Sequence, residues 1–414
     1  MLSIGTDLVE IGRIRQSVKN PRFCGRVFGK DENARFAERG FSAESAAAAF
    51  CAKEAFSKAI GTGLWAFDLR DVQLLHGEAG EPKLALSGRA RELAGNSRFS
   101  VSVTHTKEYA SATVLREDAF TPEIPESEGL AMLRSILKPR AAESNKGDYG
   151  RLLCVCGSEG MAGAAAMSVG AALRCGAGIV EAALPKAIYP IVAARLVEPV
   201  FTLFHPAEDG TPSPTDGAVL SAALKRAKAV LIGCGLGRSE AARAEVGQVL
   251  RESDVPVIVD ADGINLLAEH IDLLRLCKAP VVLTPHPGEM ARLLKTAPAD
   301  VQAHRKEYAC RFAADHGAFL VLKGAGTLVA APDGNLYRNT TGNPGMAKGG
   351  SGDVLAGMLA SFAAQGIDPF KAAVGAVYLH GLAGDRCAAR CSQTAMLPTD
   401  LIGMLPEIFR EIGR

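Results

Sequence analysis

Val255-Pro-Val-Ile-Val-Asp260-Ala-Asp-Gly-Ile-Asn265 decides how the larger part of this chain is read. A short, nearly unbroken apolar run suits a strand covered on both faces, and here acidic residues and a glycine close it. Similar runs recur at 152–156, 179–184, 229–232, 280–283 and 319–322, with helical stretches between them. This rhythm predicts an α/β layer fold with a mostly parallel, doubly wound sheet. Ligands in such folds gather at the carboxyl ends of the strands.

Working outward from that sheet, the strongest chemical signal is Gly342-Asn-Pro-Gly-Met-Ala-Lys-Gly-Gly-Ser-Gly-Asp353-Val-Leu-Ala-Gly357. Glycines let backbone N–H groups approach an anion, and a helix N-terminus adds favourable partial charge. Asp353 falls in the first turn of the helix that follows. Alone, an Asp there reads as a helix cap; the surrounding glycines ask for more than capping. The Gly-Lys-Ser/Thr ending of a Walker loop is missing.

The arrangement resembles the ribokinase-like three-layer fold, and further segments resemble one member, the NAD(P)H-hydrate dehydratase. They include Asn145-Lys-Gly-Asp-Tyr-Gly-Arg151, Gly157-Ser-Glu-Gly-Met-Ala-Gly-Ala164, Gly233-Cys-Gly-Leu-Gly237, Thr284-Pro-His-Pro-Gly-Glu-Met290 and Leu322-Lys-Gly-Ala-Gly-Thr327. The resemblance spans residues 127–414. It implies phosphorylation of the hydroxyl of hydrated NADH or NADPH by ADP or ATP with Mg²⁺, followed by loss of phosphate. Asp353 would be the base, with an anion hole at Gly350, Ser351 and Gly352. Ala164, Gly237, His286 and Asp353 would line the hydrate pocket. Lys323, Gly324, Ala325, Gly326, Thr327 and Gly352 would hold the nucleotide. Cys234 stands where this family more usually has Pro. Two other readings stay open: another small-molecule kinase of the same fold, and a non-catalytic scaffold.

The rest of the chain, residues 1–118, has no βαβ rhythm. Strands at 3–11, 98–104 and 109–115 and a helix at 43–60 predict an α+β domain. Three segments carry candidate chemistry: Ile4-Gly-Thr-Asp7-Leu-Val-Glu10, Ala52-Lys-Glu54-Ala-Phe-Ser-Lys58-Ala-Ile-Gly-Thr-Gly63, and Val101-Ser-Val-Thr-His105-Thr-Lys-Glu-Tyr-Ala110. Taken alone, Glu54 and Lys58 are an ordinary pair on one helix face. In this order the segments resemble holo-(acyl-carrier-protein) synthase, a 4′-phosphopantetheinyl transferase. That resemblance implies transfer of 4′-phosphopantetheine from coenzyme A to a serine of acyl carrier protein. Asp7 and Glu54 would hold Mg²⁺, Lys58 and Thr106 would meet the coenzyme A phosphates, and His105 would assist deprotonation of the serine. Arg13, with Arg15, Lys19, Arg22 and Arg26 nearby, would dock the acidic carrier. A homo-oligomer is implied, a trimer through this domain or higher. The family often carries an Arg near position 49, where this chain has Ala49.

Composition narrows the remaining classes. With 414 residues, two cores are expected, since single cores rarely exceed about 250–300 residues. A boundary falls near 118–126, where prolines and acidic residues break all periodicity. Net charge is +1, which supplies no global field for nucleic acid. The ten cysteines are scattered and read as reduced, mostly buried thiols of a cytoplasmic protein. Asp7 and Glu10 follow the start at once, against a secretory leader, and no segment reads as a membrane span. An epimerase acting on the same hydrates has no room in these residues and is expected as a separate protein.

Overall fold

The computed structural model describes residues 2–39, 42–77, 79–95, 97–117, 127–206, 211 and 213–414. The chain divides into two compact units, Met1–Ile124 and Pro125–Arg414. The expected boundary near 118–126 lies outside the described residues.

In the first unit β1 (Leu2–Glu10), β4 (Arg98–His105) and β5 (Tyr109–Glu117) form an antiparallel sheet of order β1-β5-β4. A hairpin of β2 (Val72–His76) and β3 (Pro82–Leu86) stands beside it as a separate ladder. The core is built on the helix Ala43–Ile60. Ser42 starts it by accepting a bond from the Ser45 N–H at 3.2 Å, and left-handed Gly61 ends it. Its run Ala46, Ala47, Ala48 and Ala49 is wholly buried, with Cys51, Ala52, Ala55 and Phe56. Small side chains bring this helix close to β1. A Cβ on Gly5 would lie 2.0 Å from the Ala55 carbonyl oxygen, so only glycine fits at that crossing. The opposite face of β1 leaves Leu2, Ile4 and Leu8 about two-thirds exposed.

The second unit is a sheet of order β14-β13-β12-β11-β10-β9-β6-β7-β8. Its strands are β6 (Arg151–Val155), β7 (Ile179–Pro185), β8 (Val200–Phe204), β9 (Ala229–Ile232), β10 (Val257–Val259), β11 (Val281–Leu283), β12 (Phe319–Leu322), β13 (Leu328–Ala330) and β14 (Leu336–Arg338). From β8 to β12 every pairing is parallel, and β13 and β14 extend the sheet antiparallel. The six apolar runs read from the sequence are β6, β7, β9, β10, β11 and β12. Alternate residues explain why they are almost entirely apolar; the buried exception, Glu181 of β7, is paired with Arg151 and Arg226. Leu153, Val230, Val257, Val259, Leu283 and Leu320 share one core with Val246, Leu267, Met290 and Phe312 of the helices on that face. Leu152, Cys154, Leu231, Ile258, Val282 and Val321 point the other way and are fully buried too. There the helix Ser351–Ala364 packs on β6, β9, β10 and the helix Ala162–Arg174.

β8 was not expected from the sequence. It is an edge strand, and Thr202 and the half-exposed Val200 interrupt its apolar character.

Candidate active sites

In the second unit the sheet order places the ends of β9, β10, β11 and β12 side by side, and each contributes one polar group. Asp260 follows β10 and is 1% exposed. Its Oδ1 accepts from Thr284 Oγ1 at 2.6 Å, beyond β11, and from Lys323 Nζ at 2.7 Å, beyond β12. Cys234 Sγ, beyond β9, donates to Asp260 Oδ2 at 3.6 Å. Polar atoms of Cys234, Asp260 and Asp353 all lie within 4.8 Å of one another.

Asp353 reaches this cluster from the helix Ser351–Ala364, in whose first turn it sits. Gly350 is the residue before that helix, at φ 101°, a conformation L side chains rarely adopt. The turn is held from behind. Gly342 N–H and Asn343 Nδ2 donate to Asp385 at 2.8 and 2.9 Å, and Lys348 Nζ donates to the carbonyls of Thr394 and Met396, both at 2.7 Å. The Ser351 hydroxyl lies 3.2 Å from His380 Nε2. Burial lowers the His380 pKa to about 4, so this ring is neutral. Ser351 N–H donates to the Lys348 carbonyl at 3.2 Å. Gly352 and Asp353 remain in the first turn, where N–H groups have no intrahelical acceptor. Burial first, then the charge of Asp260, pushes the Asp353 carboxyl up to about 6; a Cys234 hydrogen bond and Lys323 oppose this.

His286 precedes the helix Pro287–Leu294 and caps it. Its Nδ1 accepts from the N–H groups of Gly288 and Glu289 at 3.0 and 3.3 Å, and its Nε2 lies 3.3 Å from Glu289 Oε1. The ring is therefore the Nε2–H tautomer, and burial together with the charges of Lys323 and Arg292 lowers its pKa. Ala164 is buried in the helix Ala162–Arg174, 2.7 Å from where a Cβ on Gly235 would stand. Gly237 donates its N–H to Asp262 Oδ2 at 2.9 Å. These residues follow or face the ends of β6, β9, β10 and β11, the same edge of the sheet as Asp353.

Lys323, Gly324, Ala325, Gly326 and Thr327 form the turn between β12 and β13. The Lys323 ammonium points inward, to Asp260 and, at 3.8 Å, to Glu289. Burial works against its charge, but the two carboxylates outweigh that and hold its pKa above the ordinary lysine value. Arg305 braces the turn from below: its guanidinium donates to the carbonyls of Leu322, Lys323 and Gly326 at 3.1, 3.3 and 3.4 Å. Asp260, Glu289, Arg305 and His380 were not singled out as site residues from the sequence. An Asp directly after a buried strand was the available signal for the first of them.

In the first unit Asp7 on β1 faces the helix Ala43–Ile60. Lys58 Nζ donates to Asp7 Oδ1 and to the Thr6 carbonyl, both at 2.9 Å, so its partner is Asp7 instead of Glu54. Glu54 is one turn away. Burial first, then the charge of Asp7, raises its pKa, while Lys58 and Arg13 lower it. Arg13 is exposed, as are Arg15, Lys19, Arg22 and Arg26. His105 is exposed at the end of β4. It pairs with Ala110, which pairs with Val9, so it stands two strands from β1 and two residues along from Asp7. Thr106 accepts through Oγ1 from the N–H groups of Glu108 and Tyr109 at 3.2 and 3.0 Å and so shapes the β4–β5 turn. Ala49 is 2% exposed and fully packed.

Comparison with known proteins agrees with this division. Residues 152–407 match the family model described as NAD(P)H-hydrate dehydratase, and residues 3–114 match that of the 4′-phosphopantetheinyl transferase superfamily. The chain is 44% identical over 283 residues to the bifunctional NAD(P)H-hydrate repair enzyme Nnr of Moorella thermoacetica, covering 68% of this chain and 53% of that protein. It is 41% identical over 254 residues to the ADP-dependent (S)-NAD(P)H-hydrate dehydratase of Neisseria meningitidis, covering 60% of this chain and 81% of that protein. The chain thus spans about half the length of the bifunctional relatives it matches. Among solved structures, the ADP/ATP-dependent NAD(P)H-hydrate dehydratase of Bacillus subtilis, crystallised with ATP and Mg²⁺, aligns with a TM-score of 0.58 at 31% identity, covering 68% of this chain and 97% of that one. The chain belongs to the NAD(P)H-hydrate dehydratase family, and its first unit carries a domain of the 4′-phosphopantetheinyl transferase superfamily.

Proposed function

We propose that the second unit dehydrates (6S)-NAD(P)H hydrate, using ADP or ATP as phosphate donor, and that the first unit transfers 4′-phosphopantetheine from coenzyme A to acyl carrier protein. The observation that carries the first half is Asp353, a carboxyl with a pKa near 6 beside a glycine turn at a helix N-terminus. At neutral pH it is ionised, yet basic enough to take a proton. It would remove the hydrate's hydroxyl proton as that oxygen attacks the terminal phosphorus of the nucleotide, releasing the shortened nucleotide. Departure of phosphate, with loss of the neighbouring ring proton, restores the ring double bond. The backbone at Gly350, Ser351 and Gly352 would stabilise the charge on the transferred group. Ala164, Gly237 and the Nε2–H of His286 would line the hydrate pocket, and Lys323, Gly324, Ala325, Gly326 and Thr327 the nucleotide turn. Bound with the nucleotide, Mg²⁺ would neutralise phosphate charge.

For the first unit, Asp7 and Glu54 fit a divalent cation: two carboxylates stand close enough that one raises the pKa of the other. There Mg²⁺ would supply charge neutralisation at the coenzyme A diphosphate. Lys58 is placed to exchange its bond to Asp7 for a phosphate. Thr106 would support the same phosphates, Arg13 the carrier, and His105 the serine proton. Because His105 lies two strands from Asp7, a site using both is best completed between subunits. The exposed Leu2, Ile4 and Leu8 supply an apolar face for a trimer. Ten unpaired cysteines suit a reducing compartment such as the cytoplasm, and among the described residues no helix is long and apolar enough to cross a membrane.

The test mixes the full chain with hydrated NADH, Mg²⁺ and either ADP or ATP and follows the NADH absorbance; a parallel mixture holds coenzyme A and apo acyl carrier protein. Nucleotide-dependent return of NADH is expected, and its rate falls as pH drops below about 6, where Asp353 takes up its proton. No return with either nucleotide, from protein that still modifies the carrier, would move the second unit to another kinase reaction. A smaller effect is expected from Arg305→Met: loosening the braced turn raises the nucleotide KM by about tenfold, the equivalent of about 1.4 kcal/mol, and leaves carrier modification unchanged. An unchanged nucleotide KM would remove Arg305 from the site.

A further inference from the structure

The Asp260 and Lys323 side chains meet directly beneath the Asp353 turn. A Cβ placed on Gly352 would lie 3.3 Å from Lys323 Nζ and 3.9 Å from Asp260 Oδ2. Lys323 and Asp260 are thus not a distant structural pair; they form the floor on which the base sits. We propose that Asp260 and Lys323 are positioning residues that act through Asp353 in opposite senses, Asp260 strengthening its hold on a proton and Lys323 weakening it. This rests on the reading of Asp353 as the base.

Three adjacent strands build the floor. The register Val257↔Val281 and Val282↔Phe319 sets the ends of β10, β11 and β12 level enough for Asp260, Thr284 and Lys323 to bond. Thr284 and Lys323 both occupy Oδ1 of Asp260, which turns Oδ2 toward Cys234 and the Asp353 side. Asp353 meets charged and titratable groups from every element around it. Beyond β10 lie Asp260 and Asp262, beyond β9 Cys234, beyond β6 Cys156 and beyond β12 Lys323. Behind the turn His380 contacts Ser351. Farther out, Glu289 shares Lys323 with Asp260. Within this set burial favours the protonated acid, Asp260 and Asp262 add to it, and the Cys234 hydrogen bond and Lys323 oppose it. Asp260 and Lys323 also act on each other, so each determines how much of the other's charge Asp353 feels. A pair with only a packing role would leave the titration of Asp353 where it is.

The experiment is a carboxyl titration of the full chain, labelled with ¹³C at the Asp carboxyls and followed by NMR without substrate. Asp353→Asn identifies the Asp353 signal by its loss. Asp260→Asn is expected to lower the Asp353 midpoint, and Lys323→Met to raise it, each by about one pH unit or more. Midpoints that stay in place, or that move in the same direction, overturn the proposal. Asp260→Asn is isosteric and keeps an acceptor for Thr284 and Lys323; should Lys323→Met fail to fold, the Asp260→Asn shift alone decides. The titration needs no turnover, so the two readings fail separately. Opposed shifts in a chain that repairs no hydrate would leave the electrostatic floor standing and remove the hydrate reaction. Unmoved midpoints in a chain that repairs hydrate would do the reverse.

Discussion

Asp353→Asn is expected to slow hydrate repair by about 10²–10⁴-fold, the usual contribution of a positioned general base. The amide keeps the shape of the carboxyl but accepts no proton from the substrate hydroxyl. The loss should fall on kcat and leave nucleotide binding near its original strength, because the Lys323–Thr327 turn and its Arg305 brace are untouched. Folding should not suffer. The native carboxyl is partly buried with its pKa at about 6, above the ordinary aspartate value of 3.8, so the folded state binds the proton more tightly than the unfolded chain. Stability therefore gains as pH falls from about 6 toward 4, and that gain is absent above this window, where both states are ionised. The amide is neutral throughout, so the variant should lack that pH dependence and be no less stable than the parent at neutral pH. Repair rates from NADH absorbance, with thermal unfolding at pH 5 and pH 7.5, check both statements. A variant that repairs hydrate within tenfold of the parent would remove Asp353 from the role of base.

Some of this site is legible along the chain and some is not, for physical reasons. The Gly342–Gly357 stretch is readable because one continuous segment supplies both the glycine turn and Asp353, the proposed base. The strands β6, β7, β9, β10, β11 and β12 are readable because burial on two faces demands apolar residues at nearly every position, Glu181 of β7 being a paired exception. β13 and β14 are three residues each, too short for any periodicity to declare itself. Asp260, Thr284, Lys323 and Glu289 are ordinary residues singly; only the strand order brings them together. Lys323 illustrates the limit. Its segment reads as a nucleotide turn, and the backbone does turn there between β12 and β13, but the ammonium points inward, to Asp260. In the first unit, Glu54 and Lys58 share a helix face by spacing, while the actual partner of Lys58 sits on β1, fifty-one residues earlier. Contacts made across a sheet or between a helix and a strand carry no mark in local sequence.

Lys53 is the sharpest case of that kind, and it carries the second large effect. It stands next to Glu54 yet lies on a different face of the helix, fully buried against Glu32, which is 1% exposed. Lys53 Nζ donates to Glu32 Oε2 at 2.7 Å and to the carbonyls of Leu69, at 3.2 Å, and Val72. Glu32 in turn accepts from the N–H groups of Gly29 and Leu74, both at 2.9 Å. Burial lowers the Lys53 pKa and the charge of Glu32 opposes that, so the ion persists only because of its partner. Lys53→Met leaves a carboxylate in the core with two N–H donors and no counter-ion. The expected cost is about 3–5 kcal/mol of first-unit stability, as for other buried pairs broken on one side. Hydrogen exchange of peptides from Ala43–Ile60 reports this unit separately and should show opening easier by that amount. Adding Glu32→Gln removes the stranded charge while keeping an acceptor, and should recover part of the loss. Protection equal to the parent in Lys53→Met would mean that water reaches Glu32. No recovery in the double variant would mean that the pair matters through its backbone hydrogen bonds and not through its charge.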